Sequence, residues 1–186
     1  MLTKEQKDII LALAKEAVIS AVRGKKIDKN SWLQKYPWLS KKGAVFVTLN
    51  KNHNLRGCIG SIIAHQSLID DIINNAKSAT LNDPRFSPVK LNELDNITIE
   101  VSYLTEPKLL KYSDVDELKR KIRKRLDGVI LNLNGYQATY LPSVWEQLPD
   151  FNSFFATLCQ KAGLSSNCLK YHPTIYTYQA VEIKDN

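Results

Sequence analysis

The segment Asn54-Leu55-Arg56-Gly57-Cys58-Ile59-Gly60-Ser61 sets two glycines and an arginine around one cysteine, directly after a stretch that alternates like a strand. Glycine lets the backbone take positive φ and turn successive N–H groups toward one point, so Gly57 and Gly60 are expected to shape an anion-binding nest to which Arg56 adds charge. The same surroundings would favour the thiolate of Cys58, the form that acts as nucleophile or metal ligand. The alternative is structural, with two bulge glycines beside a small core cysteine. His53 and His65 flank the segment, but their spacing to Cys58 matches no zinc signature, and no metal is assigned.

A second run, Asp83-Pro84-Arg85-Phe86-Ser87-Pro88, packs two prolines, an acid, a base and an aromatic into six residues after a helix. That composition suits a rigid loop holding Asp83, Arg85 and Phe86 at the edge of a cleft, or a plain structural corner. Glu100 alternates with Ile99 and Val101 and faces solvent unless that face is covered; with His65 it is the candidate proton acceptor for Cys58. Asp70 and Asp71 fall in the first turn of a helix, where acids favour the positive end of the dipole. Lys119, Arg120, Lys121, Arg123, Lys124 and Arg125 form the densest basic cluster, a candidate phosphate-binding stripe. The acidic start of the same segment, Asp114, Asp116 and Glu117, offers i,i+4 pairing instead, and no aromatic residues interleave to stack bases.

The elements that must position these residues follow from periodicity. Thr3 and Gln6 resemble a capping box ahead of a helix that Gly24 ends, with Ile10, Leu13, Ala14, Ala17, Val18 and Ala21 on one face. Residues 25–42 are basic and aromatic without clear period and read as an irregular connection. Residues 44–50 and 55–61 read as a hairpin with an irregular return arm, and Ser67 opens a helix closed off by Pro84. A strand over 97–104, a helix from Ser113 to about Leu126, strands around the Asn134-Gly135 turn, a helix from Asp150 to Gly163 and a last strand over 174–183 complete the chain. Mixed elements with hairpin signals predict an α/β (α+β) class, a largely antiparallel sheet with packed helices.

The 186 residues carry 44% apolar and 24% charged side chains, enough for a substantial core in a single domain spanning 1–186. The net charge of +7 admits anionic partners without choosing among them. No stretch approaches the roughly 20 apolar residues of a membrane-spanning helix. Three scattered cysteines, Cys58, Cys159 and Cys168, form no CxxC pair, and their odd number predicts free thiols in the cytoplasm.

Taken in order, Phe46-Val47-Thr48-Leu49, Leu55-Arg56-Gly57-Cys58-Ile59-Gly60-Ser61, Asp83-Pro84-Arg85-Phe86, Ile99-Glu100-Val101-Ser102, Tyr140-Leu141-Pro142-Ser143-Val144 and Leu158-Cys159-Gln160-Lys161-Ala162-Gly163-Leu164 resemble the AMMECR family, whose microbial members are called AmmeMemoRadiSam system protein A. The hexapeptide Leu-Arg-Gly-Cys-Ile-Gly carries most of the specificity. Two departures are Ser143, where the family has glutamine, and the basic run 119–125. The resemblance implies a two-lobed domain with the hallmark segment near a cleft, and a pathway shared with Memo-like and radical SAM proteins; it implies no established reaction and no cofactor. The expected function is binding of a small or peptide-like, anionic ligand by Arg56, Gly57, Gly60, Ser61, Asp83, Arg85 and Phe86, with thiol chemistry at Cys58. A non-catalytic protein-interaction module is the alternative, and nucleic-acid binding through 119–125 is the third.

Overall fold

A computed structural model describes residues 2–185. The chain divides into two compact units, one of residues 2–104 with 181–185 and one of residues 105–180.

In the first unit, helix α1 (Lys4–Val22) begins with the expected capping box: the Thr3 side chain accepts the Gln6 N–H at 3.1 Å and the Gln6 side chain accepts the Thr3 N–H at 2.9 Å. The connection expected after it contains a short helix α2 (Lys29–Lys35) capped by Asp28, and a 3-10 turn over Pro37–Ser40. Strands β1 (Ala44–Lys51) and β2 (Asn54–Gly60) form the hairpin, joined through Asn52 and His53 at φ 51° and 65°. Positive φ at both turn residues matches the right-handed twist of the strands. Helix α3 (Leu68–Leu81), capped by Ser67, and strand β3 (Ile97–Leu104) follow.

The second unit holds β4 (Lys108–Leu109), α4 (Val115–Lys121), β5 (Gly128–Leu133), β6 (Tyr136–Tyr140), the short α5 (Val144–Gln147), α6 (Phe151–Lys161) and β7 (Thr174–Tyr178). Strand β8 (Ala180–Lys184) then returns to the first sheet, whose order is β2-β1-β3-β8, while the second runs β4-β7-β5-β6. The expected α/β class with antiparallel pairing and packed helices is realised as two four-stranded sheets. Each has its own core. Val45, Val47, Leu49, Ile99, Val101 and Ile183 meet the inward faces of α1 and α3 in the first. Val129, Leu131, Trp145, Phe154, Phe155 and Leu158 fill the second, where the Trp145 and Phe154 rings stack 3.6 Å apart.

Three expectations are corrected. The helix expected to reach Leu126 stops at Lys121, because the buried Asp127 carboxylate draws the chain back by accepting the Arg123 N–H at 2.9 Å and its guanidinium at 2.8 Å. Arg125 then takes φ 69°, so the run 119–125 is no continuous helical stripe. The single last strand is two, β7 and β8, parted at Gln179 and belonging to different sheets. The three free thiols are one: Cys159 and Cys168 form a disulfide, both buried, leaving Cys58 free. Nine residues of separation on an amphipathic helix and the following turn hid that pairing from spacing.

Candidate functional site

Cys58 lies mid-strand in β2, an edge strand of the first sheet. Its surroundings follow from a register shift. Lys51 pairs with Asn54 and Asn50 with Leu55, but Leu49 pairs with Gly57 and Thr48 with Cys58, so Arg56 is the extra residue of a β-bulge. Because strand side chains alternate, the bulge decides which face each residue of the hallmark segment takes. Gly57 faces α3, where a Cβ would stand 2.2 Å from the Ala79 carbonyl oxygen. Cys58 therefore points to the opposite face, and there Thr48 Oγ1 donates to its Sγ at 3.2 Å. Gly60 lies on that face too, beneath the Phe46 ring, which a Cβ would meet at 2.2 Å.

The expected nest is not formed. Gly57 and Gly60 sit in a paired strand, and the glycines with positive φ are Gly24, Gly135 and Gly163. Both hallmark glycines are there for close approach, of a helix backbone on one side and an aromatic ring on the other.

The Asp83-Pro84-Arg85-Phe86 loop does come to the hallmark segment. The buried Asp83 carboxylate accepts the Cys58 N–H at 2.9 Å, and Arg85 Nη2 donates to the Cys58 carbonyl at 3.3 Å and to Asp83 at 2.8 Å. One loop thereby satisfies both outward backbone groups of an edge-strand residue, as a neighbouring strand would. Arg85, first, then the Cys58 and Arg85 backbone N–H groups, hold the Asp83 carboxyl well below the usual carboxylate range. Arg85 is held up in turn by Asp83 and, less strongly, by Cys58, while its side chain stays 54% exposed.

Arg56 is not held by Glu100 or Asp83. The bulge swings it toward the 3-10 turn Leu91–Asn96, where Nε and Nη2 each donate to Glu93 at 3.1 Å and Nη1 donates to the Ser87 carbonyl at 2.9 Å. Each of its guanidinium nitrogens makes one of these bonds, and its side chain is only 13% exposed. Arg56, then the Lys90 N–H and Lys51, bring the Glu93 carboxyl down to about 2. The Phe86 ring is near both guanidiniums, its centroid 6.0 Å from that of Arg56 and 5.4 Å from that of Arg85.

The other candidates scatter. Ser61 Oγ donates to the buried Asp71 carboxylate at 2.6 Å and accepts from Asn75 at 3.2 Å, while the other Asp71 oxygen accepts the Val45 N–H at 2.8 Å. Asp71 pins α3 to the start of β1 and is not merely a helix-end charge; Asp70 pairs with Lys29 at 2.8 Å. Glu100 is opposite Thr48 on β3, so it shares Cys58's face but lies one strand further across the sheet. Burial, then the charge of Glu182, pushes its carboxyl up against the opposing pull of Lys184. His65 is exposed, its Nδ1 at 3.2 Å from the Ile63 carbonyl, and no hydrogen bond among the described residues joins it or Glu100 to Cys58. Among the described residues no cluster of three or more His, Cys, Asp or Glu stands ready for a metal ion, and no helix is long and apolar enough to cross a membrane. Sequence reasoning missed Thr48 and Glu93, whose roles depend on the bulge and on a pairing 37 residues apart.

The model of the family AMMECR1 matches residues 11–183. This chain belongs to the AMMECR1 family. A protein of Methanothermobacter thermautotrophicus is 41% identical over 143 residues, covering 75% of this chain and 74% of that one. Protein PYRAB00100 of Pyrococcus abyssi is 36% identical over 186 residues, 93% of this chain and 87% of its own. The crystal structure of the uncharacterized protein PH0010 from Pyrococcus horikoshii superposes with a TM-score of 0.87 at 35% identity, covering 97% of this AMMECR1-family chain and 92% of that one.

Proposed function

We propose that this AMMECR1-family chain binds an anionic small or peptide-like ligand beside Cys58, with Arg85 as the cation that meets it and the Cys58 thiol as nucleophile. The observation that carries the reading is the clasp of Asp83 and Arg85 on the Cys58 backbone, which fixes a half-buried free thiol next to a guanidinium still half open to solvent. Arg56, Gly57 and Ser61 support that arrangement through ion pairing, close packing on α3 and hydrogen bonding, Gly60 makes room for the Phe46 ring on the face that Cys58 shares, and Phe86 lies near both arginines. The pathway shared with Memo-like and radical SAM proteins, implied by the family resemblance, belongs to this reading without a reaction attached.

Iodoacetate and iodoacetamide test it, since they alkylate a thiol alike and differ in charge. We expect iodoacetate to label Cys58 faster, relative to iodoacetamide, than it labels glutathione, and Arg85→Gln to remove that preference. A rate ratio equal to glutathione's would instead favour the non-catalytic interaction module, which the structural duties of Arg56, Gly57, Gly60 and Asp83 also support. No observation favours the nucleic-acid reading, since the basic segment leaves the helix after Lys121.

A further inference from the structure

Away from Cys58, α1 and α3 leave a cavity of about 570 Å³ between them. The cause is in the sequence: α1 presents Ala17, Ser20 and Ala21 at this point and Gly24 follows at φ 64°, so short side chains meet the α3 stripe of Ile73, Asn74, Lys77 and Leu81 and cannot fill the groove. The floor is therefore apolar, built from Ala17, Ala21, Ile27, Ile73 and Leu81.

The rim is cationic. Lys25, Lys26, Lys29 and Lys77 surround it with one carboxylate, Asp70, which is already bound to Lys29 at 2.8 Å. Among the described residues Lys25, Lys26 and Lys77 make no ion pair. The turn at Gly24 brings Lys25 and Lys26 over the groove from the α1 side while Lys77 meets them from α3, so unpaired positive charge lines both edges of an apolar trough. The volume is that of a small-molecule site, and such sites are mostly apolar with a few convergent polar groups.

We propose that this groove binds a single-chain amphiphile with an anionic head group, its alkyl chain along the alanine and isoleucine floor and its head among Lys25, Lys26 and Lys77. A compact anion such as phosphate would leave the floor unused, and a neutral alkane would leave the lysines unused. A two-chain lipid presented by a membrane is a different occupant, and the trough between two packed helices favours one chain.

The test is calorimetric titration of the full chain with decanoate and decyl phosphate below their micelle concentrations, with decanol, acetate and decyltrimethylammonium as controls. We expect saturable 1:1 binding of one or both anionic amphiphiles, the better one naming carboxylate or phosphate as the preferred head. Decanol and acetate should bind at least about tenfold more weakly, because each lacks half of the recognition. The double variant Lys25→Glu/Lys77→Glu, at exposed positions, should weaken binding about tenfold or more with the unfolding midpoint unchanged, and Ala21→Trp should abolish it by occupying the floor. Equal binding of decyltrimethylammonium, undiminished binding in both variants, or no saturable binding of either anion would overturn the proposal. So would sedimentation with phosphatidylglycerol vesicles in the absence of binding to the free amphiphiles, which would identify a membrane surface instead.

Discussion

Arg56 donates from each guanidinium nitrogen to Glu93 or the Ser87 carbonyl, so a lysine there keeps the charge and loses most of the contacts. Arg56→Lys is expected to cost about 1–3 kcal/mol in urea unfolding, against the near-neutral effect that a rim charge would show. The same pair predicts an acid dependence. Glu93 titrates near 2 when folded, below the roughly 4.3 of a free glutamate, so its contribution is complete above about pH 4.3 and is lost as pH falls through about 2. Glu93→Gln should therefore be less stable at neutral pH and show a shallower loss across that window, read from unfolding midpoints at stepped pH; a parallel curve would exclude the pairing. The two hallmark glycines separate in the same assay. Gly57→Ala meets a helix carbonyl that cannot move without its helix, whereas Gly60→Ala meets the Cγ of Phe46, which ring rotation leaves in place and only a change of χ1 rotamer or a strand shift relieves; both should destabilise, the first by about 3 kcal/mol and the second by about 2.

What a one-residue bulge does to an element explains both the success and the failure of reading the site from sequence. The alternation in 44–50 and the glycines after it identified the hairpin, and the Asn-Gly turn identified β5 and β6. Counting from the turn at Asn52-His53 without a bulge would put Cys58 opposite Val47, on the face toward α1 and α3; with Arg56 extruded it stands opposite Thr48 on the other face. Nothing in the local composition distinguishes those registers, since the difference is settled by Glu93 and by the Ala79 carbonyl, both distant in sequence. The motif residues were thus legible as a group, since Asp83 and Arg85 do meet the Cys58 backbone and Phe86 lies near Arg56 and Arg85, but the duty of each was not. At the same scale the disulfide joins the end of α6 to the turn Cys168–Tyr171. Thiol titration of the denatured chain should find one thiol without reductant and three with it, and reduction should cost about 3 kcal/mol by loop-closure entropy. Three thiols before reduction would exclude the bond.

Over the whole molecule, sequence periodicity gave the class and most elements, while the assignment of strands to sheets escaped it. Residues 174–183 contain no Gly, Pro, Asn or Asp to mark a break, so no local feature shows that Thr174–Tyr178 completes one sheet and Ala180–Lys184 another. Ile183 belongs to the core of the first unit, and Ile183→Ala is expected to destabilise that unit by about 2–5 kcal/mol, detectable as hydrogen-exchange loss in β1 and β3 before β5. Loss confined to β5–β7 would contradict the topology. The order of synthesis gives this arrangement a further consequence. A nascent chain emerging from the ribosome can pair β1, β2 and β3 early, but the free edge of β3 waits for a strand that comes only after residues 105–179. At about 5–20 residues per second that edge stays open for several seconds, long enough to template pairing with another nascent copy. Crowded polysomes should therefore be where this chain is most prone to misassemble, and supplying residues 180–184 as a free peptide during translation should reduce it.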